Sequence, residues 1–306
     1  MKTISENNVF QWRVGERRLL RWHRLVLVLC SLLLLGSCST ARLAYSNADT
    51  LAYWWLDGYV DVHSVQKAKV KRDIAQLLNW HRTTQLPQYV QTLGQMQTVL
   101  EAQPSTAELE TIFRQVEQFS QTILLKMAPE LTDFMLTMDA KQKAYLARKF
   151  EKNNEDYREK YLDLKPEKQA KERRKKIMKQ ADEWLGSVNR EQELLVMRYL
   201  EKNPANYTQL LEDSMVRQRL ALQLIEQIQT SKPPREQAEL IVQRTLLSAF
   251  FPSDQSERRL QIEASRAEMQ QLIVAILRVA TPEQKAHVRE KLQGWIDDCK
   301  YLIARK

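Results

Sequence analysis

The stretch ATPEQKAHVREKL, residues 280–292, has the pattern of a helix start and decides the fold class. Thr281 stands at the capping position, Pro282 takes the first helical position, and Gln284 is placed so that its side chain reaches back to the cap. Apolar Val288 and Leu292 follow four and eight positions after the glutamine, so they begin a buried face. The stretch therefore predicts an amphipathic helix with a fixed beginning.

Two other stretches repeat this pattern. They are VHSVQKAKVKRDI (62–74) and MDAKQKAYLARKF (138–150), with His63 and Asp139 as caps and Gln66 and Gln142 three residues later. The three glutamines are separated by 76 and 142 residues, and such unequal spacing is not that of a solenoid repeat. The chain thus predicts three capped helix starts that belong to one irregular helical fold.

The composition also favours helices. After residue 37 the chain has four glycines, at 58, 94, 186 and 294, although hairpins need turn glycines. Its nine prolines lie between segments long enough for helices. We predict an all-α protein, an antiparallel helical bundle with long, partly solvated charged helices, in two parts at residues 38–135 and 136–306.

Two neighbouring segments show the helical period clearly. Apolar residues recur at helical spacing over 86–100 and again over 109–123, and Ser105 and Glu108 have the spacing of a capping box. We expect the two helices to pack as an antiparallel pair. Residues 141–180 are rich in Lys, Arg, Glu and Gln, which predicts a mostly solvated helix, and basic residues are densest over 165–179. This run either contacts anionic headgroups or an acidic partner, or is simply an exposed helix face.

The N-terminus has the pattern of an export signal. Five arginines lie within residues 13–24, and the apolar run LVLVLCSLLLL (25–35) is too short to cross a bilayer. The segment resembles a bacterial lipoprotein signal, with Leu35, Gly36, Ser37 and Cys38 as the lipobox. We predict that residues 1–37 are a signal peptide, cleaved between Ser37 and Cys38, and that Cys38 is lipidated. A retained membrane anchor and a twin-arginine signal at Arg17-Arg18 are the alternatives.

Removing residues 1–37 takes away six basic and two acidic residues, which lowers the net charge from +9 to +5. A charge of this size on an exported protein does not favour a nucleic-acid partner. The mature chain keeps Cys38 and Cys299, so lipidation of Cys38 excludes an intramolecular disulfide. We expect Cys299 to pack as a small buried hydrophobe.

Two groups of residues are candidate binding sites. Trp54 and Trp55 lie in an aromatic cluster close after Cys38, where rings sit at the headgroup level of a membrane. The alternative is that Trp55 and Tyr59 pack as helix neighbours into the core. His81 and Arg82 together suit an anionic group, although a histidine on a helix is commonly a surface or capping residue.

No sequence pattern for catalysis stands out. His63, His81 and His287 lack the spacing of metal ligands on one helix face, and the chain has no nucleophile elbow and no glycine-rich phosphate loop. We predict no metal, no cofactor and no enzymatic activity. An envelope hydrolase, built from carboxylates that the fold brings together, is the alternative.

Two resemblances bear on function. Residues 43–47, 54–61, 80–82 and 86–89 and the run Thr281 to Gln284 resemble an uncharacterised family of proteobacterial lipoproteins known only as a domain of unknown function. The three glutamine patterns also resemble, more loosely, the LTxxQ motif of periplasmic chaperones of the Spy/CpxP kind.

The first resemblance implies a helical, membrane-tethered periplasmic protein and brings no established activity. We predict a non-enzymatic binding or scaffold protein of the cell envelope, with an unidentified envelope protein as its partner. Ser39 after the cysteine implies the periplasmic face of the outer membrane, with the inner membrane as the alternative. The second implies a chaperone-like holdase or an envelope-stress adaptor.

Overall fold

The computed structural model describes residues 39–101, 104–253 and 256–305, and these ranges are almost entirely helical and contain no strand. The prediction of an all-α fold is confirmed. The helices are α1 (Ser39–Ser46), α2 (Ala48–Val60), α3 (Ser64–Trp80), α4 (Leu86–Glu101), α5 (Thr106–Thr137), α6 (Ala140–Tyr157), α7 (Pro166–Leu185), α8 (Arg190–Lys202), α9 (Tyr207–Ser231), α10 (Arg235–Phe250), α11 (Glu257–Arg278) and α12 (Pro282–Ala304), with π-helical segments at His81–Gln85 and Arg158–Leu162.

The chain separates into two compact units between Asn47 and Ala48. In the first unit the described residues form α1, where the Asn47 side chain donates a hydrogen bond to the Leu43 carbonyl (2.8 Å). The remaining helices of the described ranges, α2 to α12, belong to the second unit. The division of the mature chain at residue 135 stays a prediction.

The predicted helix starts are paired through their glutamines. Gln66 begins α3 and Gln142 begins α6, and the two buried side-chain amides donate to each other over 2.8 and 3.2 Å. Each amide oxygen also accepts from the backbone N–H of its own cap, His63 or Asp139. The remaining amide hydrogens bond the Asp61 and Thr137 carbonyls, so both amides are fully satisfied.

A second pair has the same geometry. Gln284 of α12 and Gln192 of α8 are buried and exchange two hydrogen bonds of 2.9 Å, while their oxygens accept from the caps Thr281 and Asn189. Gln284 also donates to the Ser187 carbonyl (2.8 Å). The α8 start is a fourth copy that the sequence reasoning missed, although its cap-to-glutamine spacing and Val196 four residues later fit the pattern.

Two clusters of buried side chains form the core of the second unit. The first combines residues of α2, α3, α5, α6, α9 and α10, among them Val70, Leu146, Ile225, Ile228 and Val242. The second is smaller and combines Leu185, Val288 and Leu292 with partly buried side chains of α4. In each pattern the residue four places after the glutamine is buried, namely Val70, Leu146, Val196 and Val288.

One continuous helical run joins the two clusters. It comprises α3, the first π segment and α4, roughly 55 Å at 1.5 Å per residue. Pro87 has no N–H, and its ring excludes the carbonyl four residues earlier, so the turn before it widens and the Leu86 N–H bonds the His81 carbonyl. The proline is therefore accommodated without ending the helix.

The predicted antiparallel pair of α4 and α5 is confirmed. Gln115 donates to Gln95 (3.1 Å), and the rings of Tyr89 and Phe119 lie 4.9 Å apart. The more extensive contact of α4 is with α12, which the sequence analysis did not predict. Gln97 donates there to the Arg289 carbonyl (3.2 Å), far from α4 in sequence.

A partly buried ion network joins α5 to α11. Glu117 accepts from Arg259 (2.5 Å) and Arg266 (2.7 Å), whose side chains are 5 % and 14 % exposed. Burial alone would raise the pKa of Glu117, but the hydrogen bonds and charges of the two arginines outweigh it and hold this pKa below its ordinary value. The carboxylate therefore stays ionised in the folded protein.

Replacing Gln142 by Ala removes the hydrogen bonds to Gln66, the Asp139 cap and the Asp61 carbonyl. We expect the free energy of unfolding to fall by about 2–4 kcal/mol, since buried polar groups lose their partners. Urea unfolding followed by circular dichroism measures it. The exposed Gln76→Ala in α3 serves as control, with an expected change within about 0.5 kcal/mol. Equal effects of the two substitutions would contradict the role of the pair.

Replacing Glu117 by Gln removes the carboxylate that Arg259 and Arg266 share, while Arg259 keeps its ion pair with Glu263 (3.0 Å). We expect this loss of charged hydrogen bonds to destabilise the fold by about 1.5–3 kcal/mol. Because the pKa of Glu117 is lowered by folding, its stabilisation is present above its ordinary pKa of 4.5 and disappears as the pH falls through the lower folded value. Unfolding curves between neutral and acid pH should therefore converge for wild type and Glu117→Gln. The exposed Glu212→Gln should follow the wild type throughout.

Candidate functional site

Helix α2 is apolar on two opposite sides. Tyr53, Leu56 and Val60 point into the first core cluster. Leu51, Trp54 and Trp55 lie on the other side and are 48 %, 64 % and 65 % exposed. We call these three residues the α2 outer face. A helix on the surface of a globular protein ordinarily turns charged or polar residues to solvent, so an exposed apolar face of this kind indicates an interaction site.

The alternative prediction, that Trp55 and Tyr59 pack as helix neighbours into the core, is wrong in part. The rings of Trp55 and Tyr59 are helix neighbours with centroids 4.8 Å apart, as that alternative requires. Tyr59 continues inward to Phe150 and accepts a hydrogen bond from Asn153 (2.9 Å). Trp55 itself remains exposed, because Tyr59 already occupies the space between it and α6.

Lysines from two other helices surround α2. Lys67 and Lys71 of α3 place their ammonium groups 5.7 and 5.0 Å from the centre of the Tyr53 ring, and Lys149 of α6 lies 5.7 Å from that of Tyr59. The acidic groups of α2 are engaged locally: Asp57 accepts from the Val62 N–H (2.9 Å) and Asp49 from the Thr50 N–H (2.7 Å). Lys149 therefore flanks the outer face, since the Tyr59 ring beside it meets that of Trp55, whereas Lys67 and Lys71 lie beside Tyr53 on the core side of α2.

His81 and Arg82 occupy the first π segment. The His81 ring bonds the Tyr89 hydroxyl (3.3 Å), and burial lowers the pKa of His81, which favours the neutral imidazole. Arg82 donates to Asn79 (2.7 Å). His81 is ten residues of helix beyond Lys71, a distance of about 15 Å along the helix axis. His81 and Arg82 are therefore a separate site from the α2 outer face.

The sequence reasoning missed Gln85, in the same π segment as His81, and the position of Cys299 near Tyr89. Gln85 is buried, and its amide oxygen has no hydrogen-bond partner among the described residues. Cys299, the free thiol of the described ranges, is half-buried close to Tyr89, and burial raises the pKa of Cys299, as does Asp298. The thiol is therefore held in its neutral form, in line with its expected packing role.

Helix α7 carries the predicted basic run on its exposed side. Arg174 pairs with Glu193 (2.5 Å) and Arg173 donates to the Asn203 carbonyl, so these two arginines attach α7 to α8 and the chain beyond it. Lys168, Lys171 and Lys175 are exposed and separated by three and four residues, which places them on one side of the helix.

Two surface clefts of about 280 and 400 Å³ lie elsewhere. In the smaller, Asn154 and Gln218 exchange hydrogen bonds of 2.8 and 2.9 Å. The larger contains the ion pairs Glu110–Arg114 (2.7 Å) and Arg114–Glu263 (3.5 Å). Its carboxylates therefore face arginines.

Three further findings concern the predicted sites. Leu35, Gly36, Ser37 and Cys38 lie outside the described residues, so their prediction stands on the sequence. Within the described ranges, no group of three or more His, Cys, Asp or Glu side chains is arranged to hold a metal ion. None of the helices in those ranges combines the length and the apolar character that crossing a membrane requires.

A family model described as "Family of unknown function (DUF6279)" matches residues 58–249, more than half of the chain. The match includes Gln66, Gln142 and Gln192, and it begins just after the α2 outer face. No curated protein and no solved structure matches the chain.

Proposed function

The chain belongs to the DUF6279 family, whose function is unknown, and we propose that it is a lipid-anchored protein of the cell envelope with a non-enzymatic binding or scaffold role. The α2 outer face carries this proposal. It presents two exposed tryptophans and a leucine between 13 and 17 residues after Cys38. An exposed apolar surface so near a lipobox suits a protein that works against a membrane.

The tether in this proposal is Cys38, acylated after removal of residues 1–37. Acyl chains contribute about 0.8 kcal/mol for each buried CH₂ group, so attachment through several chains is stable. With Ser39 following the cysteine, we place the protein on the periplasmic face of the outer membrane, and the inner membrane is the alternative.

The partner in this proposal is an envelope protein with an acidic surface. The exposed lysines of α7 supply positive charge on one helix side, and complementary charges steer association. Neither a nucleic acid, a metal nor a cofactor is part of the proposal. The hydrolase alternative has less support, since Glu110 and Glu263 share their cleft with Arg114, and ion-paired carboxylates are poorly suited to accept protons.

Replacing Cys38 by Ala should abolish lipid attachment, because the thioether forms on the cysteine sulfur. Metabolic labelling with a palmitate analogue should mark the wild type and leave Cys38→Ala unlabelled. Cys299→Ala is the matched control and should be labelled like the wild type. Equal labelling of wild type and Cys38→Ala would overturn the anchor.

A chaperone-like holdase is the second candidate, and the fourth glutamine helix start favours it. The four starts resemble LTxxQ patterns, and they occur as two bonded pairs. A holdase should suppress the aggregation of unfolded client proteins, followed by light scattering, at ratios up to equimolar. Suppressed aggregation of several client proteins would favour the holdase. No effect on any of them would contradict the holdase and favour the scaffold role.

A further inference from the structure

We propose that the α2 outer face docks into the interfacial layer of the same bilayer that holds the Cys38 lipid, with Trp54 and Trp55 at headgroup depth. This inference names the partner of the surface described above and rests on the proposed lipid anchor. The occupant is thus a phospholipid surface rather than a protein.

The first argument is the distribution of side chains around α2. Positions 51, 54, 55 and 58 fall within an arc of about 100° at 100° per residue, and Leu51, Trp54, Trp55 and Gly58 occupy it without any charged group. A Cβ added at Gly58 would meet no atom within 4 Å, so the arc is open to its surroundings at this position. The opposite side is in the core. Such an arc can enter an apolar layer without burying a charge.

The second argument is the chemistry of the side chains. Indole rings are amphipathic, with a large apolar body and one N–H donor, and they concentrate where hydrocarbon meets headgroups. Lys149 lies beside the ring of Tyr59, which meets that of Trp55, and a long lysine side chain beside docked indoles can hold its ammonium group at the level of lipid phosphates. Each basic residue near an anionic surface contributes about 1 kcal/mol.

The third argument is the length of the chain after the tether. Leu51 is 13 positions after Cys38, and even a fully extended chain of this length spans at most about 45 Å. The eight residues of α1 take up only about 12 Å of that distance. A protein anchored at Cys38 therefore keeps the α2 outer face within about 45 Å of the bilayer, and this high effective concentration favours docking even when the interfacial affinity is weak.

The test uses the purified mature lipoprotein in vesicles of phosphatidylethanolamine and phosphatidylglycerol, with bromine on the acyl chains near the headgroups. Bromine quenches nearby indoles, so tryptophan emission should fall relative to unbrominated vesicles. In the double variant Trp54→Phe and Trp55→Phe, most of this quenching should disappear. The matched control Trp295→Phe removes another exposed tryptophan, on α12, and should leave the quenching in place.

Two results would overturn the inference: equal quenching in the double variant and the wild type, or no quenching in either. A second copy of the chain on this face would instead appear as a dimer, detected by light scattering in detergent, that the double variant loses. Palmitate labelling distinguishes failure of the docking proposal from failure of the lipid-anchor proposal. A labelled protein without quenching refutes docking alone, whereas an unlabelled wild type refutes the anchor.

Discussion

The pairing of buried glutamine amides is the constraint on which the rest of the structure depends. A side-chain amide has four hydrogen-bonding positions, and burying it without partners costs several kcal/mol. Gln66 and Gln142 satisfy each other, their caps and the carbonyls before those caps, which fixes the starts of α3 and α6 side by side. Gln192 and Gln284 fix α8 and α12 in the same way. Each pair thus sets where two helices begin and which buried apolar residues follow.

Much of this could be predicted from sequence, because a helix start is local. A cap, a glutamine and the apolar residues after it lie within one short stretch, and three of the four starts were predicted from them. Their pairing could not be predicted, since Gln192 and Gln284 are 92 residues apart and nothing in either stretch selects the other. The contact between α4 and α12 is equally non-local.

Prediction from sequence has the same limit at the α2 outer face, because the exposure of its side chains depends on non-local contacts. Helical spacing predicted that Trp55 and Tyr59 are neighbours, and their rings do meet. It could not tell which side of α2 turns to the core, because both sides are apolar. Tyr53 and Val60, with Tyr59 beside them, fill the space toward α3 and α6, and the larger indoles are left outside. The exposure of Trp54 and Trp55 is therefore a result of packing against distant helices.

The α2 outer face and the exposed lysines of α7 lie on helices that pack on different core clusters. This separation bears on the proposed scaffold role. Helix α2 packs on the first cluster, whereas α7 contributes Leu185 to the second. The continuous run of α3 and α4 connects the clusters, and a helix transmits position because its backbone hydrogen bonds resist bending. If α2 rests on the bilayer, the lysines of α7 are presented by a separate part of the body. A partner bound there would not compete with lipid for the α2 outer face.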